Sequence, residues 1–391
     1  MIDADRIPCI TGIGQTAYTR WGGTVDRSEF SLACEAILAA IADAGLRPDD
    51  IDGIASYSSD RNEPAMLQRA LGIEQVRFAS MVWGGGGGGA CGGLAHAAAA
   101  IESGRARHVV VFRALCQGQQ FRFGRFHPWT PETAFTAPFG LFSPPQMAAL
   151  VVQRHMHLYG TTSVQLGRVA IACRANATRN PAAVMRDRPI TMEDYLASRM
   201  IASPLRLLDC CLESDGAAAI VVSGLASARD ARAPVIEILA AAQGSERGWG
   251  TGLLGGHNQP VESYATGNST VMARELFARA GVMPDDLDVA QVYDAFTGTV
   301  LIALEDYGLC GRGESGPFVE AGHVDWPDGR LPINTSGGNL SEAYIHGFNL
   351  TIEAVRQLRG TSTSQVDGAR VCLVTGGQAV SPVSGAILGA R

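Results

Sequence analysis

At 391 residues the chain is too long for one small core, and its balance of 46% hydrophobic to 18% charged residues is that of a compact globular protein of two domains. A formal net charge of −7 without a Lys/Arg block gives no electrostatic footprint for nucleic acid or an anionic membrane surface, so a small molecule or another protein is the expected partner. Nine cysteines without framework spacing fit a reducing cytoplasm, and Cys210-Cys211 has no second Cys/His pair at ligand spacing, so no metal site is expected in this chain.

The start, Met1 to Arg6, lacks the form of a signal peptide, and no stretch reaches ~18 uninterrupted apolar residues, so no bilayer span is expected. The first helix is expected over Leu32–Ala42; Gly45 stops it, and Pro48-Asp49-Asp50 turns into a short strand that runs to Tyr57. Six consecutive glycines, Gly84 to Gly89, come next. Such a run lets backbone approach a ligand, donates amides to an oxyanion, or makes a crowded turn where no Cβ fits. A helix over Leu94–Glu102 then leads through a Gly104 turn into a buried strand ending at Phe112. From about 113 to 208 sheet periodicity is lost. Phe121, Phe123, Phe126, Trp129 and Phe135 alternate there with Arg, Pro and Thr, an insertion of the kind that covers active sites. The buried strand Ala217–Val222 closes a first half, 1–226, with the insertion inside it.

The second half, 227–391, repeats the first. AGLRPDDIDGI at 44–54 matches AGVMPDDLDVA at 280–290, and the match extends to Tyr57 and Tyr293. GRARHVVVF at 104–112 likewise matches GARVCLVTGG at 368–377, each after a helix, the later one over Leu350–Leu358. Strands alternating with helices imply an α/β fold with sheet covered on both faces.

Four segments, GGACGGLAHAAAAI at 88–101, SDGAAAIVV at 214–222, YDAF at 293–296 and NTSGGNLSEAYIHGFN at 334–349, resemble the thiolase superfamily. The resemblance covers nearly the whole chain and implies the thiolase fold, two duplicated α/β halves in a five-layered αβαβα arrangement, usually dimeric. The family's catalytic positions are substituted. Registering Gly93-Leu94 puts Ala90 at the nucleophile's position with Cys91 one residue on, turned by about 100°; a gapped register would restore Cys91. Tyr344 stands for the histidine of Gly-His-Pro, with His346 two residues on, and Tyr293 for the asparagine of Asn-Glu-Ala-Phe. Leu373 takes the position of the second cysteine, and Cys372 is off register.

Two phenols where the family faces the thioester look like the steroid side-chain retro-aldolases of the lipid-transfer-protein type. That resemblance implies retro-aldol cleavage of a β-hydroxyacyl-CoA steroid side chain, releasing a ketosteroid and a short acyl-CoA such as propionyl-CoA or acetyl-CoA. Such a reaction needs an acid/base pair and oxyanion donors but no thiol. Tyr293 and Tyr344 are assigned as the pair. His346, Asn334, Gly376 and Gly377 are candidates for tuning and oxyanion donation, with Glu342 nearby, and Ala90, Cys91, Phe126 and Trp129 for the substrate pocket; His127 reads as a loop residue. CoA is expected as part of the substrate, with no cofactor in this chain. A homodimer joined to an OB-fold partner bearing a zinc ribbon, as α2β2, follows from the resemblance alone. A thiolase using Cys91 and a non-catalytic acyl-CoA or lipid carrier are the competing readings.

Overall fold

The computed structural model describes residues 4–58, 60–119, 134, 136–228, 233–249, 252–253 and 265–391. Helices α1 to α8 span Glu29–Asp43, Pro64–Leu71, Ala90–Glu102, Pro144–Tyr159, Ser163–Ala177, Thr270–Ala280, Thr297–Asp306 and Phe348–Arg359. Strands β1 to β10 of the main sheet span Pro8–Gln15, Thr19–Arg20, Gly53–Tyr57, Phe78–Val82, His108–Cys116, Ser214–Gly224, Ile236–Gly244, Val289–Gln291, Val371–Gly376 and Val383–Ala390. Their order is β8-β9-β10-β7-β1-β6-β5-β3-β4, with β2 also on β6.

Helix α1 begins earlier than periodicity alone predicts, because the Ser28 side chain caps the N–H of Ser31. Its apolar face, Leu32, Ala36, Ile37 and Ile41, packs with strand residues Val110, Phe112 and Val221 as the outer core of the first half. A second core lies centrally. Leu94, Ala97 and Ile101 of α3 and Leu350, Ile352 and Val355 of α8 meet strand residues of both halves, including Val109, Val111, Val289 and Val374. A third core joins Leu276 of α6 and Val300 and Leu304 of α7 to Leu373 and Ile387 on the far side. Helix, strand, helix, strand, helix is therefore the order of layers. The two halves share one sheet through Cys9↔Glu237 and Ile10↔Ile236 of β1 and β7.

The duplication extends to single hydrogen bonds. Asp50 accepts from Arg47 N–H at 2.8 Å and Asp286 from Met283 N–H at 2.7 Å, each fixing its Pro-Asp-Asp turn. Asp52 accepts from Arg107 and His108 N–H at 2.8 and 3.0 Å, and Asp288 from Arg370 and Val371 N–H at 2.7 and 2.9 Å.

The insertion departs from expectation in two ways. Its first residues are strand, since β5 pairs with β6 as far as Cys116↔Asp215, with Arg113 inside the buried run. Beyond residue 143 it is mainly helical: Val152 of α4 packs so closely on Gly298 of α7 that a Cβ there would come within 2.4 Å, and Val169 of α5 lies in the same core. Phe121, Phe123, Phe126, His127, Trp129 and Phe135 lie outside the described residues. No helix among the described residues is long and apolar enough to cross a membrane.

Candidate active site

Tyr293 leaves the end of β8 with its N–H donated to Thr375 Oγ1 of β9 at 2.8 Å. Tyr344 comes from the loop before α8, held by its N–H on Ser214 Oγ of β6 at 3.0 Å. A strand end and a loop thus deliver two phenols to one point: their hydroxyls lie 2.9 Å apart, with ring centroids at 6.4 Å and planes inclined by 60°. Gly87 N–H donates to the Tyr293 oxygen at 3.1 Å. Tyr293 is 3% exposed, and Tyr344 is partly exposed.

Burial raises both phenols above their ordinary range. The surroundings then separate them. Cys211 adds to the rise in both, but hydrogen bonds from Tyr344 and the Gly87 amide oppose it for Tyr293, whereas for Tyr344 the neighbouring phenol adds to it. A negative charge on this pair therefore belongs on Tyr293, with Tyr344 as its donor.

The glycine run is a crowded turn that also supplies an amide. A Cβ at Gly87 would lie 2.1 Å from Tyr293 Cε2, at Gly88 2.2 Å from Pro382 O, and at Gly89 2.7 Å from Tyr57 Cβ. Gly86 faces both phenolic oxygens at 3.4 Å from where its Cβ would be. Gly376 and Gly377 pack beneath this turn, against Gly87 O and Gly88 Cα.

Behind Tyr344 lies a buried ion pair. Arg113 Nη1 meets Asp60 at 2.5 Å, both nearly inaccessible, and its Nε donates to His346 Nδ1 at 3.2 Å. A guanidinium can only donate, so neutral His346 carries its proton on Nε2. Burial, with Arg113 beside it, holds His346 well below the usual histidine range. Its ring meets the edge of Tyr344 at 5.2 Å, and its carbonyl accepts from Tyr57 at 3.1 Å. The related tyrosines thus cross over: Tyr57 of the first half bonds a carbonyl of the second, and Tyr293 of the second takes an amide of the first.

Asn334 sits one step back, its side chain bonded to Val292 N–H at 2.7 Å and Val292 C=O at 2.9 Å. Asp294 turns away from the phenols to accept from Asn339 and Leu340 N–H at 2.8 and 3.1 Å; burial lifts it to about 6. Glu342 is bonded to Asn180, Ser336 and Asn349. Ala90 and Cys91 open α3 within the central core, Cys91 fully enclosed, its thiol on Val374 O at 3.6 Å and pushed up to about 12 by burial. Leu373 faces the outer core instead; the Cys-x-Gly-Gly spacing counted back from Gly376-Gly377 falls on Val374, which faces Cys91. Phe126 and Trp129 are outside the described residues. Sequence reasoning missed Arg113, Asp60 and the half-buried Cys211, a thiol within electrostatic reach of both phenols. The signal for Arg113 was present, as one cation inside VVVFRALC. Among the described residues no group of three His, Cys, Asp or Glu side chains is placed to hold a metal ion.

Residues 257–390 match the family described as "Thiolase C-terminal domain-like". The chain is 44% identical over 389 residues to the 17-hydroxy-3-oxo-4-pregnene-20-carboxyl-CoA lyase of Mycobacterium tuberculosis, covering 97% of this chain and 98% of that protein. It is also 44% identical over 392 residues to the steroid side-chain-cleaving aldolase of Thermomonospora curvata, covering 97% of each. A solved structure named the Ltp2-ChsH2(DUF35) aldolase superposes with a TM-score of 0.89 at 42% identity, over 99% of both chains.

Proposed function

The chain belongs to the steroid side-chain-cleaving aldolases of the thiolase superfamily, and we propose that it cleaves a β-hydroxyacyl-CoA steroid side chain by retro-aldol reaction, releasing a ketosteroid and a short acyl-CoA such as propionyl-CoA or acetyl-CoA. The observation that carries this reading is the 2.9 Å phenol pair with the Gly87 amide on Tyr293. The β-hydroxyl passes its proton to the pair, the Cα–Cβ bond breaks as the hydroxyl oxygen becomes a carbonyl, and the bonding electrons move into the thioester as an enolate. The same proton returns to the enolate carbon, so the tyrosines finish as they began. The pair takes up this proton in its singly deprotonated form: Tyr344, the more accessible phenol, receives the hydroxyl proton as it passes its own to the Tyr293 phenolate, which is thereby neutralised, and the relay reverses when the enolate carbon is protonated. His346, a neutral Nε2–H donor, and the glycine-turn amides support the developing oxyanion. CoA enters as part of the substrate, and no cofactor of this chain is required.

The partner in this reading is a separate OB-fold protein with a zinc ribbon, in an α2β2 assembly in the cytoplasm. The name of the solved relative, which joins two components, supports a partner. The exposed edge strand β4, followed by Trp83 at 88% exposure and carrying Met81 at 48%, supports pairing of two copies.

The test is turnover of 17-hydroxy-3-oxo-4-pregnene-20-carboxyl-CoA with the co-purified partner, products being identified by mass spectrometry. Tyr293→Phe and Tyr344→Phe should each lower kcat by roughly 10²–10⁴ with unchanged circular dichroism. Wild-type turnover in both variants would end the proposal, and binding without cleavage by the wild type would favour a carrier.

A further inference from the structure

Arg20, Arg174 and Arg188 lie within electrostatic reach of one another close to Tyr344, and among the described residues no ion pair joins them to a carboxylate. Arg20 of β2 lies opposite Ser214 in the register with β6, and Ser214 is the residue that holds the Tyr344 N–H. The Arg20 guanidinium reaches Met185 Sδ at 3.3 Å, and Met185 N–H donates to Ser341 O at 3.1 Å. Arg174 of α5 donates through Nε to Ser341 Oγ at 2.8 Å and through Nη1 to the carbonyl of Arg188 at 2.7 Å. Ser341, three residues before Tyr344, thus ties Arg174 directly and Arg20 through Met185 to the edge of the site, and Arg174 in turn holds the main chain of Arg188.

Arg174 is 6% exposed, whereas Arg20 and Arg188 are open to solvent. Among the described residues no ion pair links any of the three to a carboxylate; the partners of Arg174 are neutral, and Asp187 is exposed. Burial of a cation is costly unless an opposite charge compensates it. Two more cations in reach increase that cost: burial lowers the proton affinity of Arg174, and Arg188 and Arg20 add to the fall against an opposing effect of Cys173. The arrangement calls for an anion from outside. Guanidinium forks match phosphate in bidentate geometry. The cluster is set back from the phenols by Ser214 on one side and Glu342-Ala343 on the other, which suits a ligand whose phosphates trail its reacting thioester on a long arm.

We propose that Arg20, Arg174 and Arg188 form a phosphate site that holds the phosphate groups of the substrate's CoA moiety, an inference resting on the acyl-CoA reading above. The test compares the wild type with Arg20→Ala, Arg188→Ala and their double variant, leaving buried Arg174 in place, on one acyl group carried by CoA or by phosphate-free pantetheine. Each single change should raise KM for the CoA ester about tenfold, and the double variant should lower the CoA-over-pantetheine ratio of kcat/KM about a hundredfold. An unchanged ratio overturns the site, because the arginines would then shape the pocket without reading phosphate. If the wild type cleaves neither ester, the aldolase reading fails while calorimetric titration with CoA still decides the site: binding lost in the double variant supports it, and equal binding overturns it. Loss of the co-purified partner with KM unchanged would also overturn it, assigning the arginines to a protein interface.

Discussion

Gly87→Ala tests whether the spacing of the phenols matters. The added Cβ would stand 2.1 Å from Tyr293 Cε2, 2.6 Å from its Cζ and 2.8 Å from His346 O, where ordinary contact begins at 3.4 Å. The ring must therefore retreat by about 1.3 Å, the difference between 3.4 and 2.1 Å, because the carbonyl on the other side is main chain. Such a shift pulls the Tyr293 hydroxyl off the Gly87 amide and out of its 2.9 Å contact with Tyr344. Misplacement by about 1 Å costs on the order of 10² in rate, and overpacking of this kind costs about 1–3 kcal/mol of stability. The two effects separate by comparison with Gly72→Ala, where φ is +72° and nothing lies within 4 Å of the new Cβ, so only backbone strain of about 1 kcal/mol is added. Saturation kinetics and urea midpoints on both variants give the answer. Gly72→Ala should lose stability alone, Gly87→Ala stability and kcat together. Wild-type kcat in folded Gly87→Ala would refute the claim that the pair works through its geometry.

Cys91→Ala should retain kcat within a few-fold, since the thiol is enclosed and held neutral; loss of turnover would revive thiol chemistry. Arg113→Met should cost about 3–5 kcal/mol by stranding Asp60, and Arg113→Met with Asp60→Leu should recover stability but not kcat, because His346 loses the donor that fixes its tautomer; recovered kcat would make the ion pair purely structural. Burial raises Glu342 to about 7, so the folded state keeps this proton longer than the unfolded chain does. Its stabilising share is complete below about 4.5 and lost as pH rises through about 7, roughly 3 kcal/mol in all. Glu342→Gln should flatten that part of the urea-midpoint profile between about pH 5 and 8; parallel profiles would disprove the assignment.

The layers and the duplication were legible because helix, Gly stop, Pro-Asp-Asp turn and strand leave marks at fixed offsets, and the tyrosines because a flanking motif supplied the register. Arg113 was misread as the end of a strand: a cation interrupts an apolar run in sequence whether it is solvated or buried on a carboxylate 53 residues away. Leu373 was misplaced by one residue, which on a strand reverses the face. The glycine run admitted three readings, and only the opposing Tyr293 ring distinguishes a turn that excludes every Cβ from one that leaves room for a ligand.

The crossing of Tyr57 and Tyr293 has a consequence for how this chain can be divided. Each tyrosine is anchored on main chain from the opposite repeat, as at the interface of a symmetric dimer. On one chain the two crossings differ: one carries a hydroxyl pair, while its counterpart is closed on carbonyls behind Gly89. Expressed separately, the second repeat would hold Tyr293 and Tyr344 without the amide that orients them, so a split at residue 227 should restore turnover only when both fragments are mixed.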